Sequence, residues 1–188
     1  KEKGPGQYLF YQDQMNQTSF QRLQLENELR KAIDNDEFHL VYQPQIQTDT
    51  GEIVKLEALI RWQNAELGTV SPAEFIPIAE EIGIISQIGI WVISEVCQQL
   101  QQWRKQGAEE IKISINISAS HIVSTHFYDH LRELTGIYQI PMQLLEIEIT
   151  EDVFLDDTDR TLLALRKIKN LGVDIAIDDF GTGYSSLR

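Results

Sequence analysis

Phe20, Leu23, Leu29 and Ile33 recur on one side of a helical wheel with charges between them, which predicts a helix from Ser19 to about Asp34. Phe38–Ile46 reads as a strand, stopped by Pro44 and the Thr50-Gly51 turn, and Val54–Trp62 reads as a second strand. A marked helix start follows, with Ser71 suited to the N-cap, Pro72 to the first helical position and Glu74 to the third position of a capping box. Ile88, Val92, Val96, Leu100 and Trp103 then keep helical spacing from about Ile85 to Gln106, with Gly107 as the stop. Beyond it the pattern predicts a strand over Ile111–Ser118, a helix over Phe127–Tyr138 and a strand over Leu144–Thr150. A helix from Asp157 or Thr158 to Leu171-Gly172 and a strand over Val173–Asp178 complete the series. Lys1–Asn16 has little periodicity; it carries a Gly4-Pro5-Gly6 turn and a small apolar knot of Tyr8, Leu9, Phe10 and Tyr11.

Strands alternating with helices predict an α/β fold with parallel connections. The later strands recur about every 30 residues, the length of one βαβ step. A doubly wound open sheet and a β/α barrel both fit that order. Within the strands, isoleucines alternate with polar residues: Ile111-Lys112-Ile113-Ser114-Ile115-Asn116, Leu145-Glu146-Ile147-Glu148-Ile149-Thr150, Ile175-Ala176-Ile177-Asp178, and more loosely Val54-Lys55-Leu56-Glu57. Successive strand side chains point to opposite faces. The aliphatic set should therefore pack under helices while Glu57, Asn116, Glu148 and Asp178 share the other face near the carboxyl ends of their strands. In a β/α barrel that end carries the active site.

Composition narrows the function classes. Sixteen Lys+Arg against twenty-nine Asp+Glu give a net charge of −13, which argues against a nucleic-acid polymer or an anionic membrane as partner. A lone cysteine, Cys97, excludes a disulfide framework and a Cys-rich zinc module. No apolar run approaches the ~20 residues of a membrane span. The expected setting is cytoplasmic, with any membrane anchor carried by other segments. Because the chain opens at Lys1, it is expected to be part of a longer polypeptide.

Carboxylates converging on one face cannot all stay ionised without protons or cations to compensate them. All-oxygen ligands with an Asn carbonyl among them favour Mg²⁺ or Mn²⁺ over zinc. Asp179 follows Asp178 at the strand mouth, and such a pair could serve two ions, as two-metal phosphodiester hydrolysis requires. The other reading, that these acids merely bind loop amides at strand ends, stays open on the residues alone.

The motifs close that gap. Glu57-Ala58-Leu59-Ile60-Arg61-Trp62, preceded by Tyr42-Gln43-Pro44, resembles the EAL domain of bacterial cyclic di-GMP phosphodiesterases. The likeness continues through Ser71-Pro72-Ala73-Glu74-Phe75-Ile76-Pro77, Asn116-Ile117-Ser118, Glu146-Ile147-Glu148-Ile149-Thr150-Glu151 and Asp178-Asp179-Phe180-Gly181-Thr182-Gly183. It implies a TIM-like (β/α) barrel that hydrolyses cyclic di-GMP to linear pGpG. It also implies metal ligands at Glu57, Asn116, Glu148, Asp178 and Asp179, holding two Mg²⁺ or Mn²⁺ ions. Of these, Glu57, Asp178 and Asp179 would belong to the catalytic centre, together with Glu151, which would order the neighbouring loop. Arg61 would contact substrate phosphate, and Gln43 would lie near the nucleotide.

By the same resemblance, residues 1–18 are expected to be the tail of a preceding GGDEF-like domain with its linker. Residues 19–188 would then be the amino-terminal two-thirds of the EAL domain, an incomplete barrel with about five of its strands. A catalytic Lys, a further metal-binding Glu and a Gln near the substrate lie beyond the Asp-Asp-Phe-Gly motif in the family, so the 188 residues alone are expected to be inactive. A homodimer through this domain is a further expectation. The rival class is a non-catalytic EAL module acting as a cyclic di-GMP sensor or a protein-interaction domain; intact ligand positions favour catalysis. His39, His121, His126 and His130 show no metal spacing, and the pair His126 and His130 reads as solvent-facing. Cys97, Trp62, Trp91 and Trp103 read as packing residues.

Overall fold

The computed structural model describes residues 13–108, 110–124, 126–150 and 158–178. Six strands among them form one sheet: β1 (Phe38–Ile46), β2 (Ile53–Asn64), β3 (Gly68–Val70), β4 (Ile113–Asn116), β5 (Leu145–Thr150) and β6 (Asp174–Asp178). The order is β1-β2-β4-β5-β6, with the short β3 hydrogen-bonded to β2. β1 and β3 run antiparallel to β2, whereas β2–β4, β4–β5 and β5–β6 are parallel. The helices are α1 (Asp13–Leu29), α2 (Pro72–Glu81), α3 (Ile85–Lys105), α4 (Ala119–Ile122), α5 (Phe127–Tyr138) and α6 (Thr158–Asn170). Each parallel step is bridged by helices, as parallel strands require a crossover connection.

Register explains why one face is wet and the other dry. Ile113 lies beside Leu145, Ile115 beside Ile147 and Ile149 beside Ile177, so aliphatic rungs line up across three strands. Between them Asn116 pairs with Glu148, Glu57 with Ser114, Glu146 with Asp174 and Thr150 with Asp178. Ile113, Ile115, Ile147 and Ile149 are buried with Val92, Val96 and Leu100 of α3, Leu131 of α5 and Leu165 and Ile168 of α6. Burial of that face supplies the main driving force, since each aliphatic side chain contributes about 1.5–3 kcal/mol.

Three expectations shift. The first helix runs Asp13–Leu29 rather than Ser19–Asp34: Leu25 and Leu29 carry its buried side, while Phe20 and Leu23 are exposed. The chain then breaks into turns closed by Glu37 N–H donating to the Ala32 carbonyl, with Asp36 at φ 55°. Pro44 does not stop β1 but sits within it opposite Leu56; β1 is a sheet edge, where a missing N–H is tolerated. Ser71 does cap α2 in extended conformation with Pro72 following, yet its side chain makes no capping bond, so the expected box with Glu74 is not formed. Tyr8–Tyr11, Glu151, Asp179 and the Gly181-Gly183 turn lie outside the described residues.

Candidate active site

Asn116 ends β4, and its Nδ2 donates to Glu57 Oε1 at 2.8 Å. Glu57 is not near the carboxyl end of β2 as a whole; it lies in the stretch Leu56–Ala58, where β2 runs parallel to β4. Glu148 is the rung neighbour of Asn116 and is buried. Asp178 ends β6 opposite Thr150, two residues past Glu148 on the same face of β5. The alternation argument therefore places all four on one face, and it brings Glu57 and Asn116 into contact. Among the described residues no three His, Cys, Asp or Glu side chains already sit close enough together to hold an ion.

Gln43 and Arg61 also fall on this face. Gln43 is directly opposite Glu57 in the β1–β2 register. Arg61, four residues beyond Glu57 and so on its side of β2, donates from Nη1 to the Ile60 carbonyl at 2.8 Å. Behind the aliphatic face, Trp62 is fully buried and its indole N–H donates to Glu37 Oε2 at 2.9 Å, confirming it as a packing residue.

The lower part of the polar face carries a ladder of charge that the sequence reading missed. Lys55 Nζ donates to Glu148 Oε1 at 3.0 Å and to Glu146 Oε1. Lys112 Nζ lies 3.2 Å from Glu146 Oε2 and bonds Asp174, which also accepts from Lys169. Burial alone would pull the Lys55 and Lys112 ammonium groups down, but their carboxylate partners outweigh it and hold both above the ordinary lysine value. Burial likewise favours the neutral form of Glu146, and its two lysine bonds reverse that and keep it ionised. Hydrogen bonds from Lys112, then Lys169, bring Asp174 down to about 2. Lys55 stands two residues before Glu57, so the strand alternation that selected Glu57 also contained this signal.

Do these groups suit a cation? The donors are carboxylate and amide oxygens, the set that hard divalent ions take. Lys55 offsets one carboxylate by bonding Glu148, while the bond to Glu57 comes from a neutral amide that brings no positive charge. The Ser114 hydroxyl, in register with Glu57 and Glu146, is buried with no partner among the described residues. The donor chemistry and the excess negative charge fit a divalent cation.

Residues 26–188 match the family described as EAL domain. The chain belongs to that family. It is 36% identical over 187 residues to the bifunctional diguanylate cyclase/cyclic di-GMP phosphodiesterase MucR of Pseudomonas aeruginosa, all of this chain aligning with 27% of that protein. It is 38% identical over 187 residues to the cyclic di-GMP phosphodiesterase PdeR of Escherichia coli, covering all of this chain and 28% of PdeR. The EAL chain thus spans about a quarter of the length of these curated relatives. The solved PaMucR phosphodiesterase, described as a c-di-GMP complex, superposes with a TM-score of 0.81 at 37% identity, over 87% of this chain and 66% of that one. The EAL architecture is a partial TIM-like barrel, and of the two strand orders the sequence left open, the barrel is the one found. Among the described residues no helix is long and apolar enough to cross a membrane.

Proposed function

We propose that this EAL chain forms the metal-binding wall of a phosphodiesterase that hydrolyses one phosphodiester of cyclic di-GMP to give linear pGpG. The observation that carries it is the Asn116–Glu57 bond of 2.8 Å, with Glu148 on the adjoining rung, in a chain whose relatives bear that activity in their names. Glu57, Asn116, Glu148, Asp178 and Asp179 would hold two Mg²⁺ or Mn²⁺ ions. Bound divalent ions supply Lewis-acid stabilisation of the phosphoryl oxygens and a nucleophile at neutral pH. The protein's own part is positional. Asn116 holds Glu57 by one oxygen, which fixes the orientation of its carboxylate. Arg61 would exchange its bond to the Ile60 carbonyl for a substrate phosphate oxygen, whose negative charge makes it a stronger acceptor than the carbonyl. Gln43, opposite Glu57, would supply amide donors and an acceptor for the nucleotide, and the resemblance assigns Glu151 to ordering the neighbouring loop.

The test is Glu57→Ala and Glu57→Gln in the intact protein, followed by conversion of cyclic di-GMP to pGpG, calorimetric Mn²⁺ binding and thermal melting. Both variants should melt close to the parent, because Glu57 contributes a ligand rather than core volume. Turnover should disappear in both and Mn²⁺ binding should weaken. Undiminished turnover in either variant overturns the assignment.

A further inference from the structure

Lys55 has no task in the reaction just described, yet it is the most closely held cation on the polar face. Its side chain is 18% exposed, and it reaches two carboxylates at once, Glu146 at 13% and Glu148 at 8% exposure. The bond to Glu148 uses Oε1. Glu146 is itself fixed from behind by Lys112, which is fixed in turn by Asp174. Lys55 is thus shared between two carboxylates that compete for its ammonium.

An ammonium on one carboxylate oxygen restricts what the carboxylate can do for anything else. With the Lys55 ammonium on Oε1, a cation taking both oxygens of Glu148 would be pressed against a positive charge, so ligation through Oε2 is favoured. Ca²⁺ takes six to eight oxygens and commonly draws on both oxygens of a carboxylate, whereas Mg²⁺ keeps a tight octahedron of single-oxygen ligands and waters. Resting on the metal reading above, we propose that Lys55 is a specificity-determining positioning residue: by occupying Glu148 Oε1 it favours one-oxygen ligation and so discriminates against Ca²⁺ in favour of Mg²⁺ and Mn²⁺. A lysine that served only to neutralise its neighbours would act on all divalent ions alike. Substitution would then change every affinity by the same factor, so the ratio of affinities separates the two roles.

The experiment titrates the metal-stripped intact protein with Mn²⁺ and, separately, with Ca²⁺ by calorimetry, for the parent, Lys55→Met and Lys55→Arg. Groups that orient metal ligands typically change affinity by 10–100-fold when removed, so the Mn²⁺-over-Ca²⁺ preference should fall by roughly tenfold in Lys55→Met. Lys55→Arg, whose guanidinium can still occupy Oε1, should stay near the parent. Equal changes for both ions in Lys55→Met overturn the proposal while leaving the phosphodiesterase reading intact; a parent that binds neither ion overturns both. Should circular dichroism show Lys55→Met unfolded, Glu146→Gln replaces it. Relieved of its stronger competitor, Lys55 then holds Glu148 more tightly, and the preference for Mn²⁺ should rise several-fold. A flat or reduced preference in that variant overturns the proposal.

Discussion

Gly89 lies inside α3, where alanine would ordinarily stabilise by about 1 kcal/mol through helix propensity and the reduced freedom of the unfolded chain. Here the sign should reverse. A Cβ at this position would overlap the Nδ1 and Cε1 atoms of His121. The imidazole is 1% exposed and stands edge-on to Phe127, with centroids 4.7 Å apart and planes at 81°. Its backbone N–H donates to the Ser118 carbonyl at 3.1 Å, so α4 cannot simply drift outward. Overpacking of this kind costs about 1–3 kcal/mol. Taking the middle of that range against the propensity gain leaves a net loss of about 1 kcal/mol, or roughly 2–4 °C in Tm for a domain of this size. Beside the ring lies a cavity of about 50 Å³ lined by Ile88, Gly89, Asn116, Ser118 and His121, among others. Displacement into it presses on Asn116, so Mn²⁺ binding should weaken along with stability. Urea denaturation of Gly89→Ala, His121→Ala and the double variant closes a thermodynamic cycle. With the ring removed, Gly89→Ala should regain its usual stabilising sign. A gain in the parent background, or the same penalty in both backgrounds, would refute the steric reasoning.

Burial, and secondarily His130, pushes the His121 imidazole down to about 4 from an ordinary 6.5. The unfolded chain then takes up the proton first, so this contribution to stability is complete above pH 6.5 and is lost as the pH falls toward 4; denaturation midpoints against pH should flatten over that window in His121→Gln, and an unchanged slope would count against the assignment. Asn64 is buried, donates to Glu37 Oε2 at 2.9 Å and accepts from the Glu66 and Leu67 amides, each at 2.9 Å. Asn64→Ala strands both amides and should cost about 3 kcal/mol in equilibrium unfolding; a loss under 1 kcal/mol would mean that water replaces the side chain. Burial pushes the Cys97 thiol up to about 12, so thiol-specific reagents at pH 8 should label it only as fast as the protein opens, and rapid labelling of the native state would contradict its placement inside α3.

Strands were legible wherever one face is dry and the other wet. Ile113, Ser114, Ile115 and Asn116 reveal β4 by alternation alone, and the same rule carried Glu57, Glu148 and Asp178 to a common face. Helix α5 was legible end to end, because Phe127, Leu131 and Thr135 recur every four residues on its buried side. β3 was not, since Gly68-Thr69-Val70 is too short to show a period and owes its existence to pairing with β2. The exposed Phe20 and Leu23 misdirected the first helix because apolar spacing does not say which apolar residues find a neighbour. His126 is exposed as read, but His130 is only partly so and its Nδ1 is buried without a partner among the described residues; that outcome depends on packing beneath α5. The Lys55–Glu148 and Lys112–Asp174 bonds escaped for a related reason: alternation gives the face of each lysine, while its partner is set by the register of strands far apart in the chain.

The ladder from Glu148 through Lys55, Glu146, Lys112 and Asp174 to Lys169 also bears on how the sheet selects its alignment while folding. Hydrogen bonding between parallel backbones is nearly indifferent to sliding, and the isoleucine face alone tolerates a shift of two residues. The ionic series does not. A slip of one residue turns lysines and carboxylates into the helix layer; a slip of two on β5 withdraws Glu146 from its place between Lys55 and Lys112 and sets Glu148 in a different rung. The alternation of sign thus acts as a proofreading code across β2, β4, β5 and β6, penalising misaligned pairings that the dry face would accept, and the carboxylate at its upper end meets both Lys55 and Asn116 only when β2, β4 and β5 are in step.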